Sequence, residues 1–256
     1  VLGKPLEVIY EDDATDPKRA VSAVQKLITT DGAQVIIGGV WDFLASAVIP
    51  IIDSNKRILI TTSVSQDMLE ATSPYHFSTY MPIADTGIVV DTFLIEYPKA
   101  KVAIVYANNL WGKSHAEMFK NSVKKSGATI VKEVVLPKFE ANDVQRELTL
   151  IKASGANLIL VAINYNDSIS FAKKREELNI LIPVLSHANF ANAYSDKQIS
   201  AGSLKDVNVF RPAPPKQDFM TSYTTKFGKT PLAEADSAYD AVYAIKHAME
   251  KAGKTD

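Results

Sequence analysis

Two stretches of the chain share one order of features: Leu27–Gly39, LITTDGAQVIIGG, and Leu150–Ala162, LIKASGANLILVA. Each passes from the end of a helical pattern through a glycine and an alanine into an apolar strand. The two glycines, at positions 32 and 155, lie 123 residues apart. The same offset carries the apolar run Ile58–Ser63 onto Leu181–Ser186. An internal repeat of this kind indicates two similar lobes within one chain.

Outward from the repeat, short apolar runs alternate with segments of helical period. Pro17 after Asp16, for example, marks the start of a helix, because proline loses no hydrogen bond at that position. Strands that alternate with such helices form right-handed βαβ units, which build parallel sheets. We therefore predict an α/β fold of two lobes, each with a doubly wound parallel sheet. The predicted strands are 6–10, 34–37, 58–61, 101–106, 129–136, 157–163 and 183–186, with helices such as 113–126 and 168–178 between them and two more helices near the C-terminus.

The composition is that of an ordinary globular protein and excludes several functions. The 256 residues carry 28 basic and 29 acidic side chains, which leaves a net charge of −1. So balanced a charge argues against nucleic acid as a partner, since that binding needs a clustered basic excess. Cysteine is absent, which excludes thiol catalysis and disulfides. The longest apolar runs, such as Leu158–Ile163, are far shorter than the roughly 18 residues of a membrane span, so we predict no direct span.

Polar and aromatic residues follow matching strands of the two predicted lobes. Ligands of open parallel sheets bind beyond the carboxyl ends of the strands, so the strand ends of both lobes can face one cleft. The offset of 123 residues makes Asn164 and Tyr165 equivalent to Trp41 and Asp42. Aromatic faces supply contact area for a small molecule, and hydroxyl and amide groups orient it. The candidate ligand-binding residues are Trp41, Asp42, Ser63, Ser65, Trp111, Asn164, Tyr165, His187 and Asn189.

Several short motifs occur in a fixed order along nearly the whole chain. They include Asp16-Pro17-Lys18-Arg19-Ala20, Ile36-Ile37-Gly38-Gly39, Ile60-Thr61-Thr62-Ser63, Trp111-Gly112 and Ala238-Tyr239-Asp240-Ala241. This ordered set resembles the type I periplasmic (solute-)binding proteins of the branched-chain amino acid (Leu/Ile/Val) receptor group. The resemblance implies two lobes joined by a multi-crossing hinge, closure on a small-molecule ligand, and delivery to the membrane permease of an ABC importer.

The resemblance also implies lobe boundaries and a cellular location. Lobe one would comprise 1–80 and about 213–256, with the C-terminal helices returning to it or packing at the hinge. Lobe two would comprise 81–212 in part, with 81–98 near the hinge. In the family a first βα unit and a signal region precede the position of Val1, so an incomplete lobe one is expected. The location would be periplasmic or extracellular, and a lipid anchor on the precursor is one alternative.

In lobe one, the resemblance assigns roles to three polar residues. Asp42 takes the position at which amino-acid receptors usually have a serine that holds the ligand carboxylate. Ser63 and Ser65 fall where a backbone carbonyl and a threonine side chain take part. In lobe two, no acid stands at 187–189, where the group binds an α-ammonium. The resemblance therefore leaves the ligand open among amino acid-like, amide and aromatic-acid compounds.

The aromatic positions of the family's cleft fall on other residues of lobe two. Trp111 matches one of them, and Asn164 or Tyr165 matches a second. His187 lies in a predicted cleft loop, where it either contacts the ligand or packs within the lobe.

The segment 107–114, ANNLWGKS, allows a rival interpretation as a nucleotide- or ester-hydrolysing enzyme. It misses the phosphate-binding pattern GxxxxGK[ST] by its first residue, and 112–116 misses the nucleophile pattern GxSxG by its last. We therefore predict no enzyme and no catalytic residue. The spacing of the four histidines also supports no metal site, and no cofactor is expected. The remaining alternative is a ligand-sensing receptor ectodomain, which would use the same fold.

Overall fold

The computed structural model of the protein describes residues 1–69, 73–137, 143–231 and 234–254. The chain divides into two compact units, which we call unit 1 (1–82 and 213–256) and unit 2 (83–212). It leaves unit 1 after Pro82 and returns to it after Pro212. Each unit contains one parallel sheet, so the predicted α/β fold with parallel sheets is confirmed. Closure of two lobes about these crossings stays a prediction.

Helices and strands alternate through most of the described chain. The helices are α1 (Pro17–Thr29), α2 (Asp42–Asn55), α3 (Ile83–Leu94), α4 (Leu110–Ser126), α5 (Gln145–Ala153), α6 (Tyr165–Glu177), α7 (Asn189–Ser195), α8 (Gln217–Phe227) and α9 (Ala235–Ala252). The strands are β1 (Val35–Ile37), β2 (Ile58–Thr61), β3 (His76–Ser78), β4 (Lys101–Ala107), β5 (Thr129–Leu136), β6 (Leu158–Ala162), β7 (Val184–His187) and β8 (Val207–Phe210).

The sheet of unit 1 has the strand order β1-β2-β3, with all described neighbours parallel. Helix α1 begins as the sequence indicates, because the Asp16 side chain accepts a hydrogen bond of 2.9 Å from the backbone N–H of Arg19. Helix α9 packs on this sheet through Ala241 and Ile245, which are buried against Ile60 of β2. The sheet therefore holds the carboxyl ends of β1 and β2 side by side.

The sheet of unit 2 has the strand order β5-β4-β6-β7-β8 and is also parallel throughout. Alternate residues of β6 enter different cores. Ile159 and Val161 pack with α5 and α6 residues, whereas Leu158 and Leu160 pack with α3 and α4 residues. All four side chains are fully buried, and each such side chain contributes roughly 1.5–3 kcal/mol. Unit 2 is therefore doubly wound, with a hydrophobic core on each face of its sheet.

The internal repeat is visible in the positions of the elements. Strands β1 and β6 begin 123 residues apart, at Val35 and Leu158, and helices α2 and α6 also begin 123 residues apart, at Asp42 and Tyr165. The order β1-β2-β3 of unit 1 corresponds to β6-β7-β8 of unit 2. The repeat thus places Asp42 and Tyr165 at equivalent helix starts, as the sequence predicts.

The predicted strand at 6–10 is wrong, because this segment has no strand structure. Its apolar side chains are exposed, and Tyr10 is 86% accessible. The offset of 123 makes this segment equivalent to β5, which in unit 2 pairs only with β4. Among the described residues of unit 1, no strand occupies the position of β4. A β-prone segment forms a strand only where a neighbouring strand can take up its hydrogen bonds, and among the described residues of unit 1 no strand pairs with 6–10.

Candidate ligand-binding site

The carboxyl end of β1 turns sharply into α2. Gly39 has φ +67°, and a Cβ atom on it would lie 3.1 Å from the Cα of Ala45. Only glycine combines this left-handed backbone with so close an approach to the helix. The turn leaves Trp41 at the N-cap of α2, with 52% of its surface exposed. An exposed tryptophan at a strand end is the arrangement that the sequence predicts for a ligand contact.

Asp42 is the first residue of α2 and is buried, with 7% of its surface accessible. Its Oδ1 accepts a hydrogen bond of 2.8 Å from the backbone N–H of Phe43. A carboxylate at this place is stabilised by the positive end of the helix dipole. Asp42 therefore occupies the position at which the N-terminus of α2 would otherwise attract a ligand carboxylate.

The segment after β2 holds the two predicted serines in different ways. Ser65 donates a hydrogen bond of 2.5 Å to Asp67 Oδ1, so its hydroxyl shapes the loop. Thr61 also stabilises the loop, because its hydroxyl donates a hydrogen bond to the carbonyl of Val64. The same hydroxyl lies 2.8 Å from a ring nitrogen of buried His76. The Oγ of Ser63, by contrast, is buried without a hydrogen-bond partner. Ser63 is thus the serine of this pair with an unused hydroxyl.

In unit 2, helix α4 begins almost directly after β4. Asn109 caps it by accepting a hydrogen bond of 2.8 Å from the backbone N–H of Gly112. A Cβ atom at Gly112 would lie 2.2 Å from the carbonyl oxygen of Ala107, so glycine lets the helix approach the strand end. Only Asn108 and Asn109 connect the two elements. The predicted helix start at 113 is therefore three residues late, and 107–114 is not a loop that could wrap a phosphate.

Four rings from three elements form a group that we call the aromatic cluster: Trp111 and His115 of α4, His187 of β7 and Phe210 of β8. The ring of His187 lies edge-on to its neighbours, with centroid distances of 5.6 Å to Trp111 and 5.5 Å to Phe210. His115 lies 6.2 Å from His187 and 4.6 Å from Trp111. The structure thus brings the predicted residues Trp111 and His187 together, although 75 residues separate them in sequence.

The two histidines of the cluster differ in their hydrogen bonding. His115 is buried, and its Nδ1 lies 2.8 Å from the carbonyl oxygen of Trp111, one helical turn earlier. The Nδ1 of His187 is buried without a partner. Burial, together with the smaller effect of the charge of nearby His115, lowers the pKa of His187 to about 4. The imidazole of His187 is therefore neutral at neutral pH.

Amide side chains adjoin the ends of β4 and β6. Asn109 donates a hydrogen bond of 3.3 Å to the Oδ1 of Asn164, the N-cap residue of α6. The Nδ2 of Asn164 is buried and has no partner. Asn189 donates a hydrogen bond of 2.8 Å to the carbonyl of Ile163, so its amide holds the strand end. Asn164 therefore retains an unused donor at this edge.

Tyr165 is less available than the sequence suggests. Its hydroxyl donates a hydrogen bond of 2.6 Å to Asp196 Oδ2, at the end of α7. This bond raises the pKa of Tyr165. Of the two residues proposed for the second aromatic position, Asn164 has the free hydrogen-bonding group and Tyr165 does not.

Sequence reasoning missed three residues of this edge: Asn109, His115 and Phe210. Asn109 carries a visible signal, because an asparagine directly before a helical pattern is a favoured N-cap. His115 could have been found from its spacing of four residues to Trp111, which puts both on one helix face. Phe210 carries no such signal, because its strand is short and its ring meets the cluster only through the sheet.

Within the described ranges, no group of three His, Asp or Glu residues is arranged to hold a metal ion. In the same ranges, no helix combines the length and the apolar character needed to cross a membrane.

A sequence profile described as "Periplasmic binding protein" matches residues 1–256. The chain belongs to the periplasmic binding protein family. It is a type I member related to the branched-chain amino acid receptors. A "Leu/Ile/Val-binding protein homolog 3" from Brucella melitensis is 25% identical over all of this chain and 70% of its own length. "Leu/Ile/Val-binding protein BraC3" from Rhizobium johnstonii is 24% identical over all of this chain and 71% of its own length.

Solved structures of similar fold include two that this periplasmic binding protein matches over its whole length. One is an ABC-transporter solute-binding protein from Rhodopseudomonas palustris BisB5 in complex with 3,4-dihydroxybenzoic acid, with a TM-score of 0.82, 24% identity and 73% of that chain covered. The other is a leucine-binding protein from Thermotoga maritima MSB8, with a TM-score of 0.83, 20% identity and 75% of that chain covered. At these identities the likeness establishes the fold.

Family membership makes this periplasmic binding protein a solute-binding protein of the ABC-transporter type. Its relatives are described as binding proteins. The family is extracytoplasmic.

Proposed function

We propose that this protein is the receptor of an ABC importer and binds a small amino acid-like, amide or aromatic-acid ligand through strand-end residues. One observation carries the proposal. Ser63 Oγ, Asn164 Nδ2 and His187 Nδ1 are buried without hydrogen-bond partners, and all three residues are ligand contacts predicted from the sequence. A buried polar group left unpaired costs roughly 1–3 kcal/mol, and a ligand that pairs with it removes that cost.

Asp42 narrows the chemistry of the ligand in unit 1. A carboxylate already stands at the N-terminus of α2, so a ligand carboxylate there would meet a like charge. An amide, hydroxyl or amine group of a ligand would instead donate to Asp42. In unit 2, the neutral amide of Asn164 and the aromatic cluster favour uncharged hydrogen-bonding groups and apolar surface. An α-amino acid in the orientation usual for the family has no acid for its ammonium at 187–189.

Structural relatives are described with aromatic-acid and amino-acid ligands. Relatives are described in complex with 3,4-dihydroxybenzoic acid and with benzoate, and another as a leucine-binding protein. Aromatic acids with hydroxyl groups combine a flat apolar body with neutral donors. The proposed partner that receives the ligand is the membrane permease of the importer, and the proposed location is the periplasm or the cell exterior, with a lipid anchor as one form of attachment.

A binding panel tests this proposal. Wild-type protein is mixed with leucine, benzamide, benzoate, 4-hydroxybenzoate and 3,4-dihydroxybenzoate, and thermal unfolding and calorimetry are recorded. A true ligand at 100 times its Kd stabilises the folded state by about 2.7 kcal/mol and raises Tm accordingly. Trp111→Ala should weaken that binding at least tenfold, whereas Tyr194→Ala, an exposed aromatic outside the cluster, should leave it unchanged. No shift with any compound, or equal effects of the two variants, would contradict the proposal.

A further inference from the structure

We propose that His187 is the specificity-determining residue of unit 2 and that its imidazole forms a hydrogen bond with a hydroxyl or carboxamide group of the ligand. This assignment rests on the proposed function and adds to it the ligand group that His187 recognises. It concerns a ring at the end of β7 that side chains of two other elements, α4 and β8, hold in place.

The position of the ring is fixed by its neighbours. His187 pairs in register with Phe210 across β7 and β8, and both rings stand at the end of the sheet. Phe210 meets the imidazole at an interplanar angle of 84°, Trp111 at 89° and His115 at 81°. Three edge-on neighbours restrict the ring to few orientations. A polar group held in this way discriminates between ligands, because it cannot move aside to suit a different one.

The imidazole also has unused hydrogen-bonding capacity. Its Nδ1 is buried without a partner, while the residue as a whole is only half-buried. A rotation of 180° about χ2 exchanges Nδ1 with Cδ2 within nearly the same volume, and such flips are assigned from hydrogen bonding. A ligand group that reaches the ring would supply the hydrogen bond that this nitrogen lacks.

The surroundings determine which ligand group suits this nitrogen. The other members of the aromatic cluster are Trp111, Phe210 and His115, and His115 is the one other titratable side chain among them. Burial and His115 both lower the pKa of His187, so its imidazole accepts or donates as a neutral group. A neutral imidazole among apolar rings offers no counter-charge to an ammonium. It matches a phenol, an alcohol or a carboxamide, while the rings of Trp111 and Phe210 contact the apolar body.

Such a site discriminates most strongly against ligands that lack the hydrogen-bonding group. A site that hydrogen-bonds a ligand hydroxyl rejects the analogue without it strongly, because the buried partner is then left unpaired. Benzoate and 4-hydroxybenzoate differ by one hydroxyl, and benzoate and benzamide differ by the carboxamide. These pairs therefore serve as probes of the His187 contact.

Calorimetry with wild type, His187→Phe and His187→Asn tests the assignment. We expect wild type to bind at least one of the hydroxyl- or carboxamide-bearing probes ten or more times more tightly than benzoate. His187→Phe keeps an aromatic ring and should reduce this ratio to near 1, while His187→Asn should retain part of it. His247→Phe, a substitution on α9 in unit 1, is the matched control and should keep the wild-type ratio. Far-UV circular dichroism and Tm report whether each variant is folded.

The outcomes separate this assignment from the proposed function. If wild type binds and folded His187→Phe keeps the same affinity ratio, the role of His187 is overturned and the proposed function stands. If His187→Phe does not fold, an unchanged ratio in His187→Asn has the same meaning. Exclusive binding of leucine would overturn it as well, while the solute-receptor proposal would stand. Failure of wild type to bind any compound of the panel would overturn both.

Discussion

Asn109 and Asn164 join the starts of two helices of unit 2 by a hydrogen bond of 3.3 Å between Nδ2 and Oδ1. Asn109 is at the same time the N-cap of α4, where it accepts from Gly112, and Asn164 is the N-cap residue of α6. One side chain thus sets the end of β4, the start of α4 and the orientation of an amide proposed to contact ligand. The edge is held together by polar groups as well as by the hydrophobic cores beneath it.

Asn109→Ala should therefore lower both stability and ligand affinity. Loss of an N-cap costs about 0.5–2 kcal/mol, and the freed Asn164 amide loses its fixed orientation. Urea unfolding measures the first effect and calorimetry the second. Asn108→Ala, an exposed neighbour, serves as control and should change neither quantity by more than about 0.5 kcal/mol. Equal behaviour of the two variants would show that the Asn109 contacts are dispensable.

Gly112→Ala should destabilise the protein although alanine favours helices. The added methyl group would lie 2.2 Å from the carbonyl oxygen of Ala107, and neither backbone segment can move without disturbing β4 or α4. Forced contacts of this kind cost about 1–3 kcal/mol, more than the roughly 1 kcal/mol that alanine gains over glycine in a helix. The free energy of unfolding in urea measures the net loss, with exposed Lys113→Ala as control. A variant as stable as wild type would contradict the close approach.

The low pKa of His187 predicts a loss of stability in mild acid. The folded-state pKa is about 4 and the ordinary value is 6.5, so between these pH values the unfolded chain binds more protons than the folded one. Stability should fall as pH decreases from about 6.5 to about 4, by on the order of 3 kcal/mol from this residue. Burial also lowers the pKa of His76, which acts in the same direction.

Comparison with His187→Gln isolates this contribution. Glutamine does not titrate, so the difference in unfolding free energy between wild type and variant should change across this pH window. Other groups, such as Glu234, whose pKa burial raises, cancel in that difference. A difference that stays constant from pH 7 to pH 4 would mean that His187 is solvated and has an ordinary pKa.

Ser114→Ala separates the solute-receptor proposal from hydrolysis by the 107–114 segment. Ser114 lies within α4, past the helix start, and not in a flexible phosphate loop. The variant should keep ligand affinity within about twofold, which corresponds to less than 0.5 kcal/mol. Calorimetry with the best ligand of the panel measures this. Ester or nucleotide hydrolysis that wild type performs and Ser114→Ala lacks would instead support the enzymatic interpretation.

Much of the fold could be predicted because its determinants are local. The strand at 101–107 and the equivalent helix starts at Asp42 and Tyr165 follow from apolar runs and from the repeat. The segment 6–10 has the same local character, yet it forms no strand because strand formation also depends on a neighbour. Strands β3 and β8 were missed because their sequences, HFS and VNVF, contain polar residues and form no continuous apolar run.

The candidate site was predictable only in part. The position of Trp111 follows from the order of strand and helix, whereas its contact with His187 depends on the adjacency of α4, β7 and β8. Sequence distance gives no measure of that adjacency. The hydrogen bonds of Ser65 with Asp67 and of Tyr165 with Asp196 could not be predicted either. Which groups pair depends on the positions that the folded backbone gives them.

A crystal structure of the protein with the tightest ligand of the panel tests the central claim most directly. The account predicts ligand density within about 4 Å of at least one of the strand-end residues Asp42, Asn164 and His187. Its polar atoms should pair with at least one of Ser63 Oγ, Asn164 Nδ2 and a His187 ring nitrogen. Ligand bound away from these strand-end residues, with all three groups still unpaired, would contradict the account.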